Sequence, residues 1–451
     1  MIETNTSAKR PRRKAAPQLV ASPFLAQYLL VQPGRAAGVR IPEVRYEELW
    51  AAGAEGRSVP DWLADAAREA WGTELPASPV GDVVLVRERS RYGYGKASWE
   101  INLGCDYDCE FCYLGEKRFE GLDWAGKQAL LQTLRDAGVL WLQITGGEAL
   151  IDREFGAAYE YAHQLGMMVQ VSSNGSSLRK QPIRDLFARH RPYRLTLSVY
   201  GATAETYDKV TRNRGAFGRF LMGLDAARED RLPVRLNVIV SDGNAHETDA
   251  MVCLAKSYGF PHQVFTNMSP TIDGEANPLA TQALGHLKAR SIFTGCNAGH
   301  TFFHVNPHGI ASICKVGRDP SVNLITEGVE ALPDSARSPS PYSSAPVDAP
   351  AARRSARAAR ADRWPGSTRR RGTDESSTAN MEVTDHDSAH RTPDPASRTG
   401  HAHHRPTSGG QPDQRPAGAA DRRVDQGRRV PDHRRPGRGC RGRRVQLLCW
   451  G

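Results

Sequence analysis

Between residues 98 and 267, short apolar runs alternate with stretches whose apolar positions recur every three to four residues. The first pattern suits a strand and the second an amphipathic helix, so their alternation predicts βα units around a parallel sheet. Strands are expected at 99–103, 140–145, 168–172, 194–199, 234–240 and 263–266. Helices are expected at 122–137, 155–165, 183–188, 217–229 and 245–258. Sheets of this α/β class collect ligands at the C-terminal ends of their strands. The loops that follow the strands are therefore where chemistry is expected.

The flanks follow different patterns. Residues 20–94 read as a small α+β region, with a strand pair at 24–31 and 38–41 and helices at 46–52 and 60–71. Pro76 and Pro79 then lead through a strand at 83–87 into the alternating part, taken as a core over 95–289. Residues 1–19 are expected to be a disordered basic stretch, and its Lys9 to Lys14 run a solvated face without the apolar run of a secretory signal. No run of 18 apolar residues is present, so no transmembrane helix is expected. From 334 to 451 periodicity gives way to Arg, Pro, Ala, Ser and Asp, a composition that cannot bury enough apolar surface to fold.

Charge sharpens that division. The net charge is +10, yet residues 1–333 hold 37 Lys+Arg against 37 Asp+Glu. Residues 334–451 hold 23 Arg, no Lys and 13 Asp+Glu, so the whole excess lies there. A balanced core gives no case for a nucleic-acid partner. Arginine without lysine over 118 residues is what a GC-rich gene read out of frame would give. Shifted by codon degeneracy, 363–371 permits Val-Ala-Arg-Leu-Tyr-Gln-Glu-Ala, an ordinary helix. Eight cysteines in a chain of this kind read as ligands and free thiols in a reducing, cytoplasmic compartment.

The chemistry lies in Cys105-Asp-Tyr-Asp-Cys109-Glu-Phe-Cys112, after the first expected strand. Three thiolates at C-x3-C-x2-C suit an iron–sulfur cluster with one iron left open, whereas a structural zinc site wants four ligands. Gly146-Gly147-Glu148 closes the second strand, with Glu148 36 residues after Cys112. The glycines would let the backbone approach a ligand, and the carboxylate can accept bonds from an ammonium. Asn174 and Ser198 stand at the ends of the third and fourth strands, and Arg212 lies in the following Val210-Thr-Arg-Asn-Arg214 run.

With aromatic Phe111 before its last cysteine, this run resembles the signature of the radical S-adenosylmethionine (SAM) superfamily. The resemblance implies a partial (β/α)6 TIM-like barrel with a small N-terminal α+β region. It implies a [4Fe–4S] cluster on Cys105, Cys109 and Cys112 whose open iron chelates SAM. One electron, from a low-potential donor of flavodoxin or ferredoxin type, would cleave SAM to methionine and a 5′-deoxyadenosyl radical that abstracts hydrogen. In that scheme Gly146, Gly147 and Glu148 hold the methionyl amino group, Ser198 meets the ribose or carboxylate, Asn174 shapes the pocket and Arg212 pairs with the carboxylate. Residues 20–94 faintly resemble a leader-gripping winged-helix domain, with a plain extension packed on the barrel as the alternative.

Cys296 and Cys314 bracket Pro307-His-Gly309, a hairpin turn, in the pattern C-x12-G-x4-C. This element, 290–333, resembles the opening of the SPASM or twitch extension, and so implies an auxiliary [4Fe–4S] cluster with both cysteines among its ligands. Two thiolates do not hold a cluster, and no further cysteine follows until Cys440 and Cys449, so the extension is read as truncated or out of frame. The resemblance favours a maturase that modifies a peptide natural-product precursor. Radical modification of a small-molecule natural product is the enzymatic alternative. A non-catalytic iron–sulfur redox or sensor protein would explain the cysteines but gives no reason for Gly146-Gly147-Glu148.

Overall fold

The computed structural model describes residues 17–288, 298, 299 and 301–332, and the backbone of 380–382. Cys296 and the rest of the region beyond 332, with its out-of-frame reading, lie outside the described residues, as do residues 1–16. The N-terminal part runs β1 (Leu19–Phe24), β2 (Gln27–Val31), β3 (Ala37–Ile41), α1 (Glu43–Glu55), α2 (Asp61–Trp71), α3 (Val80–Val83) and β4 (Val84–Val86). The apolar run 24–31, expected as one strand, breaks into a tight hairpin. Leu25 takes a left-handed φ of 53°, and Phe24 pairs with Gln27 across the turn. Strand β1 also begins at Leu19, inside the stretch expected to be disordered.

The main sheet then begins: β5 (Lys96–Glu100), α4 (Trp124–Asp136), β6 (Trp141–Thr145), α5 (Phe155–Gln164), β7 (Met168–Ser173), α6 (Gln181–Arg189) and β8 (Arg194–Val199). It continues with α7 (Ala204–Thr211), α8 (Ala216–Glu229), β9 (Val234–Ile239), α9 (Thr248–Ser257), β10 (His262–Phe265) and α10 (Asn277–Ala280). Helix α7 was not foreseen. Strands β5 to β10 are all parallel and in sequence order, giving the expected partial (β/α)6 barrel as an open sheet. The expected hairpin over 307–309 forms between β11 (Phe302–Val305) and β12 (Ile310–Ser312), with Gly309 at φ 79°. It is not a separate appendage. β11 pairs parallel with β5, and β12 and β13 (Ser321–Asn323) extend the same sheet past its first strand. A short β14 (Asn380–Glu382) pairs antiparallel with β3.

Alternation along the strands decides which way each face looks. Trp99, Leu142, Ile144, Val169, Val171, Leu195, Leu197, Leu236 and Val238 pack with Leu130, Leu134, Tyr159, Phe187, Phe220 and Leu224 of the helices. The opposite face is polar and cross-linked: Ser98 Oγ to His304 Nδ1 at 2.7 Å, Gln143 Nε2 to Ser172 Oγ at 2.7 Å, Gln170 Nε2 to Thr196 Oγ1 at 3.4 Å. The barrel's concave side is therefore a hydrogen-bonding surface rather than a packed core. The N-terminal sheet closes its lower end. Leu19, Ala21, Leu30, Val39 and Ile41 face α1, α2 and α3, while Val20, Leu29 and Val31 pack on Leu140, Trp141, Met168 and Tyr193 at the strands' starts. Each of these Leu, Ile, Val and Met side chains, once buried, contributes about 1.5–3 kcal/mol.

Candidate functional site

The loop after β5 carries the three cysteines, all partly exposed and all free thiols. Its turn is closed by the Cys112 N–H donating to the Cys109 carbonyl at 3.2 Å, and the Tyr107 N–H points at Cys105 Sγ from 3.4 Å. Asp106 ties it to the loop after β7: Asn174 Nδ2 donates to Asp106 Oδ1 at 2.7 Å and Ser176 Oγ to Oδ2 at 3.2 Å. Below lies an aromatic cluster, with Phe111 5.4 Å from Tyr200 at the end of β8 and Tyr107 6.4 Å from Tyr207 on α7. Phe111 thus anchors the loop on the fourth barrel strand.

The glycine pair does something the sequence did not show. A Cβ on Gly146 would lie 2.3 Å from the Asn102 carbonyl oxygen, and one on Gly147 2.2 Å from that of Gly104. The close approach they permit is to the chain's own cysteine loop, not first of all to a ligand. Backbone bonds from Gly147 N–H to Asn102 (3.1 Å) and Glu148 N–H to Gly104 (2.8 Å) lock the two loops together.

That contact buries Glu148 completely. Its Oε1 accepts from the Leu150 N–H at 3.0 Å and the Ser173 hydroxyl at 2.8 Å, and its Oε2 from the Asn174 N–H at 2.6 Å. All three partners are neutral. Burial pushes its carboxyl up to about 7, against the pull of the backbone donors. Burial likewise pushes the Cys105 thiol up to about 12, with the Glu148 charge adding to it, and raises Cys109 well above its usual value. Asp106 and Glu110 are also held only by neutral partners, Glu110 by the Ser241 hydroxyl at 3.2 Å. These three acids therefore have no cationic partner of their own, which suits a cationic ligand beside them.

The other expected residues fall around the same rim. Asn174 is buried, bonded to both Asp106 and Glu148. Ser198 is half-buried on the polar face of β8, in register with Asn237 of β9, whose Oδ1 is buried without a partner. Arg212 ends α7 at a left-handed φ of 50° and ion-pairs with Asp108 of the cysteine loop at 3.3 Å. It stands beside the loop with its charge already answered. Cys314 accepts the Gly317 N–H at 3.0 Å, on the segment after β12.

A buried ionic junction that the sequence did not reveal joins that segment to the cysteine loop. Glu100, closing β5, is fully buried. Tyr113, next to Cys112, donates its hydroxyl to Glu100 Oε1 at 2.7 Å, and Arg318 Nη2 reaches both carboxylate oxygens at 3.0 Å. His304 Nε2 lies 3.4 Å from Oε2. Burial alone would raise the Glu100 carboxyl, but the neighbouring His304 imidazole and the nearby Lys315 and Arg318 charges pull it down to about 2. Only the identity of Glu100 at a strand end, three residues from apolar Leu103, could have hinted at it.

The cysteine donors fit an iron–sulfur cluster. They are three soft ligands on one turn with an N–H aimed at sulfur, and burial holds the protons on Cys105 and Cys109 until a cation displaces them. Among the described residues no three His, Cys, Asp or Glu side chains converge as a ready-made metal set, so the loop would draw its sulfurs together on binding.

Residues 99–253 match the family model described as the radical SAM superfamily. The chain is 29% identical over 170 residues to an AdoMet-dependent heme synthase of Methanosarcina barkeri, covering 36% of this chain and 47% of that protein. It is 27% identical over 240 residues to the mycofactocin maturase MftC of Mycobacterium ulcerans (49% and 63%). It is 26% identical over 160 residues to a PqqA peptide cyclase of Xanthomonas euvesicatoria (35% and 42%). The chain thus spans about half the length of the curated relatives it matches.

Proposed function

We propose that this chain, which carries a radical SAM domain, is an enzyme that uses a [4Fe–4S] cluster and SAM to modify a peptide. Bound together, those two groups supply reductive, one-electron cleavage of SAM and a 5′-deoxyadenosyl radical for hydrogen abstraction. Cys105, Cys109 and Cys112 would hold the cluster. Glu148 would accept from the methionyl ammonium, using the one Oε2 lone pair that Asn174 leaves open. Asn174 orients that carboxylate and, through Asp106, the cysteine loop. Ser198 and the polar face around Asn237 would line the pocket and meet the ribose. Arg212, fixed on Asp108 of the cysteine loop, would pair with the SAM carboxylate.

The observation that carries the reading is the Gly146-Gly147-Glu148 contact. It sets a fully buried, cation-poor carboxylate against a three-thiol loop, an arrangement a redox or sensor protein has no use for. Peptide modification is supported by relatives named as a maturase and a peptide cyclase; the heme synthase keeps small-molecule chemistry as the second reading. A low-potential flavodoxin or ferredoxin would supply the electron in the cytoplasm. Among the described residues no helix is long and apolar enough to cross a membrane. Cys314 would contribute to an auxiliary cluster if residues beyond the described ones complete it.

Co-expression with a short peptide encoded beside the gene, read by mass spectrometry, tests the substrate class. A peptide whose mass changes only when reduced enzyme and SAM are present supports the proposal. An unchanged peptide alongside a modified small metabolite supports the second reading instead.

A further inference from the structure

Around the cysteine loop nearly every cation is matched to an acid. Lys117 pairs with Asp108, as does Arg212, and Arg318 is held on Glu100. Among the described residues Arg219 bonds only neutral oxygens of Asn213 and Arg214, and Lys315 has no acid either. Its Nζ lies 3.8 Å from the ring centroid of Tyr113, the residue after Cys112, and makes no ion pair there. The Glu100 charge acts on it, yet both Glu100 oxygens already face Tyr113, Arg318 and His304. A lysine over an aromatic face is held there by the ring's quadrupole, and this ring belongs to the residue that follows Cys112. Burial pushes the Lys315 ammonium below its usual range, and the Glu100 charge acts the other way.

The chain also fixes this geometry. Lys315 follows Cys314 on the segment after β12, and Arg318 anchors that segment twice, through Glu100 and by donating from Nε to the Lys315 carbonyl at 3.0 Å. An ammonium held so firmly beside a loop rich in acids, with no acid of its own, offsets charge that arrives with a ligand. A cluster bound through three thiolates brings net negative charge and gains another on reduction.

We propose that Lys315 is the electrostatic partner of the cluster at Cys105, Cys109 and Cys112: its ammonium, seated on Tyr113, favours the reduced state and raises the reduction potential. This rests on the cluster assignment made above. Removing one unit of nearby charge should change the reduction equilibrium on the order of tenfold, which for a one-electron couple is about 59 mV.

The test is a redox titration of the full-length reconstituted protein, followed by electron paramagnetic resonance of the reduced cluster. Lys315→Met should keep the wild-type iron content and signal shape while its midpoint moves to more negative potential. Lys315→Arg should stay near wild type. A fully loaded Lys315→Met protein with an unmoved midpoint overturns the proposal and leaves the ammonium to a substrate carboxylate. An Arg variant shifted as far as the Met variant also overturns it, since packing rather than charge would then be at work. A wild-type protein that assembles no cluster overturns the cluster assignment itself, and this inference with it.

Discussion

Replacing Glu148 by Gln isolates the charge of a buried carboxylate that has only neutral partners while keeping its shape. In the wild-type chain three donors converge on it, from Leu150, Ser173 and Asn174. A glutamine can place its oxygen where Oε1 stands and keep the first two. Its amide nitrogen then faces the Asn174 N–H across a contact that is 2.6 Å in the wild type, donor against donor. That loss should lower stability by about 1–3 kcal/mol. The effect on SAM is of similar size: a charge-assisted bond to an ammonium is worth roughly 1.5–3 kcal/mol, so the dissociation constant should rise about tenfold or more.

The pH profile separates the charge from the packing. With its carboxyl raised to about 7, Glu148 is largely protonated below that pH in the folded protein. An arriving ammonium favours the ionised form, so wild-type affinity for SAM should climb as pH rises from about 6 to 8, with a proton released on binding. Stability without SAM runs the other way. A carboxyl raised above its unfolded value of 4.5 contributes stability below pH 4.5 that is lost as pH rises through 7, at most about 3 kcal/mol. The Gln variant should show neither dependence. Calorimetry with SAM at several pH values under anaerobic conditions reads both. A Gln variant with full iron, unchanged affinity and the wild-type pH profile would refute the assignment of Glu148.

Gly147→Ala should drive a methyl into the Gly104 carbonyl, 2.2 Å away, and part the two loops. Iron loading and melting temperature should fall together, and a variant normal in both would mean the loops do not need that contact. Arg318→Met leaves Glu100 ionised and buried without its bidentate partner, a loss of about 3–5 kcal/mol that should appear as a lower melting temperature. Combining it with Glu100→Gln should recover part of that loss, and strictly additive effects would show the pair is not coupled. Asp106→Asn keeps one acceptor for Asn174 or Ser176 but not both, so it should weaken iron retention during gel filtration more than it lowers the melting temperature.

The six barrel strands were legible because each holds apolar residues at alternate positions, and one face does pack on helices. What the polar positions between them do was not legible. Gln143, Thr196, Arg235 and Gln263 read singly as strand residues, and only side-by-side pairing shows a continuous polar lining. Local spacing announced the cysteine turn and Gly146-Gly147-Glu148, since both are contiguous. Glu100, Arg318 and Lys315 were missed because 218 residues separate the first two and nothing local marks them as partners. The hairpin turn was visible at Gly309, but its pairing with β5 depends on a long-range contact that no short pattern encodes. The single strand expected over 24–31 failed for a different reason. Apolar residues on both sides of Leu25 hid a turn that carries no glycine or asparagine.

The central claim is that Cys105, Cys109 and Cys112 form the centre at which SAM is cleaved. Protein reconstituted with iron and sulfide, reduced with dithionite and supplied with SAM, should release 5′-deoxyadenosine and methionine, measured by liquid chromatography. The variant with all three cysteines changed to Ala should release neither, while Cys314→Ala should continue to release both. Release of 5′-deoxyadenosine by the triple variant, or none from fully loaded wild-type protein, would contradict the account.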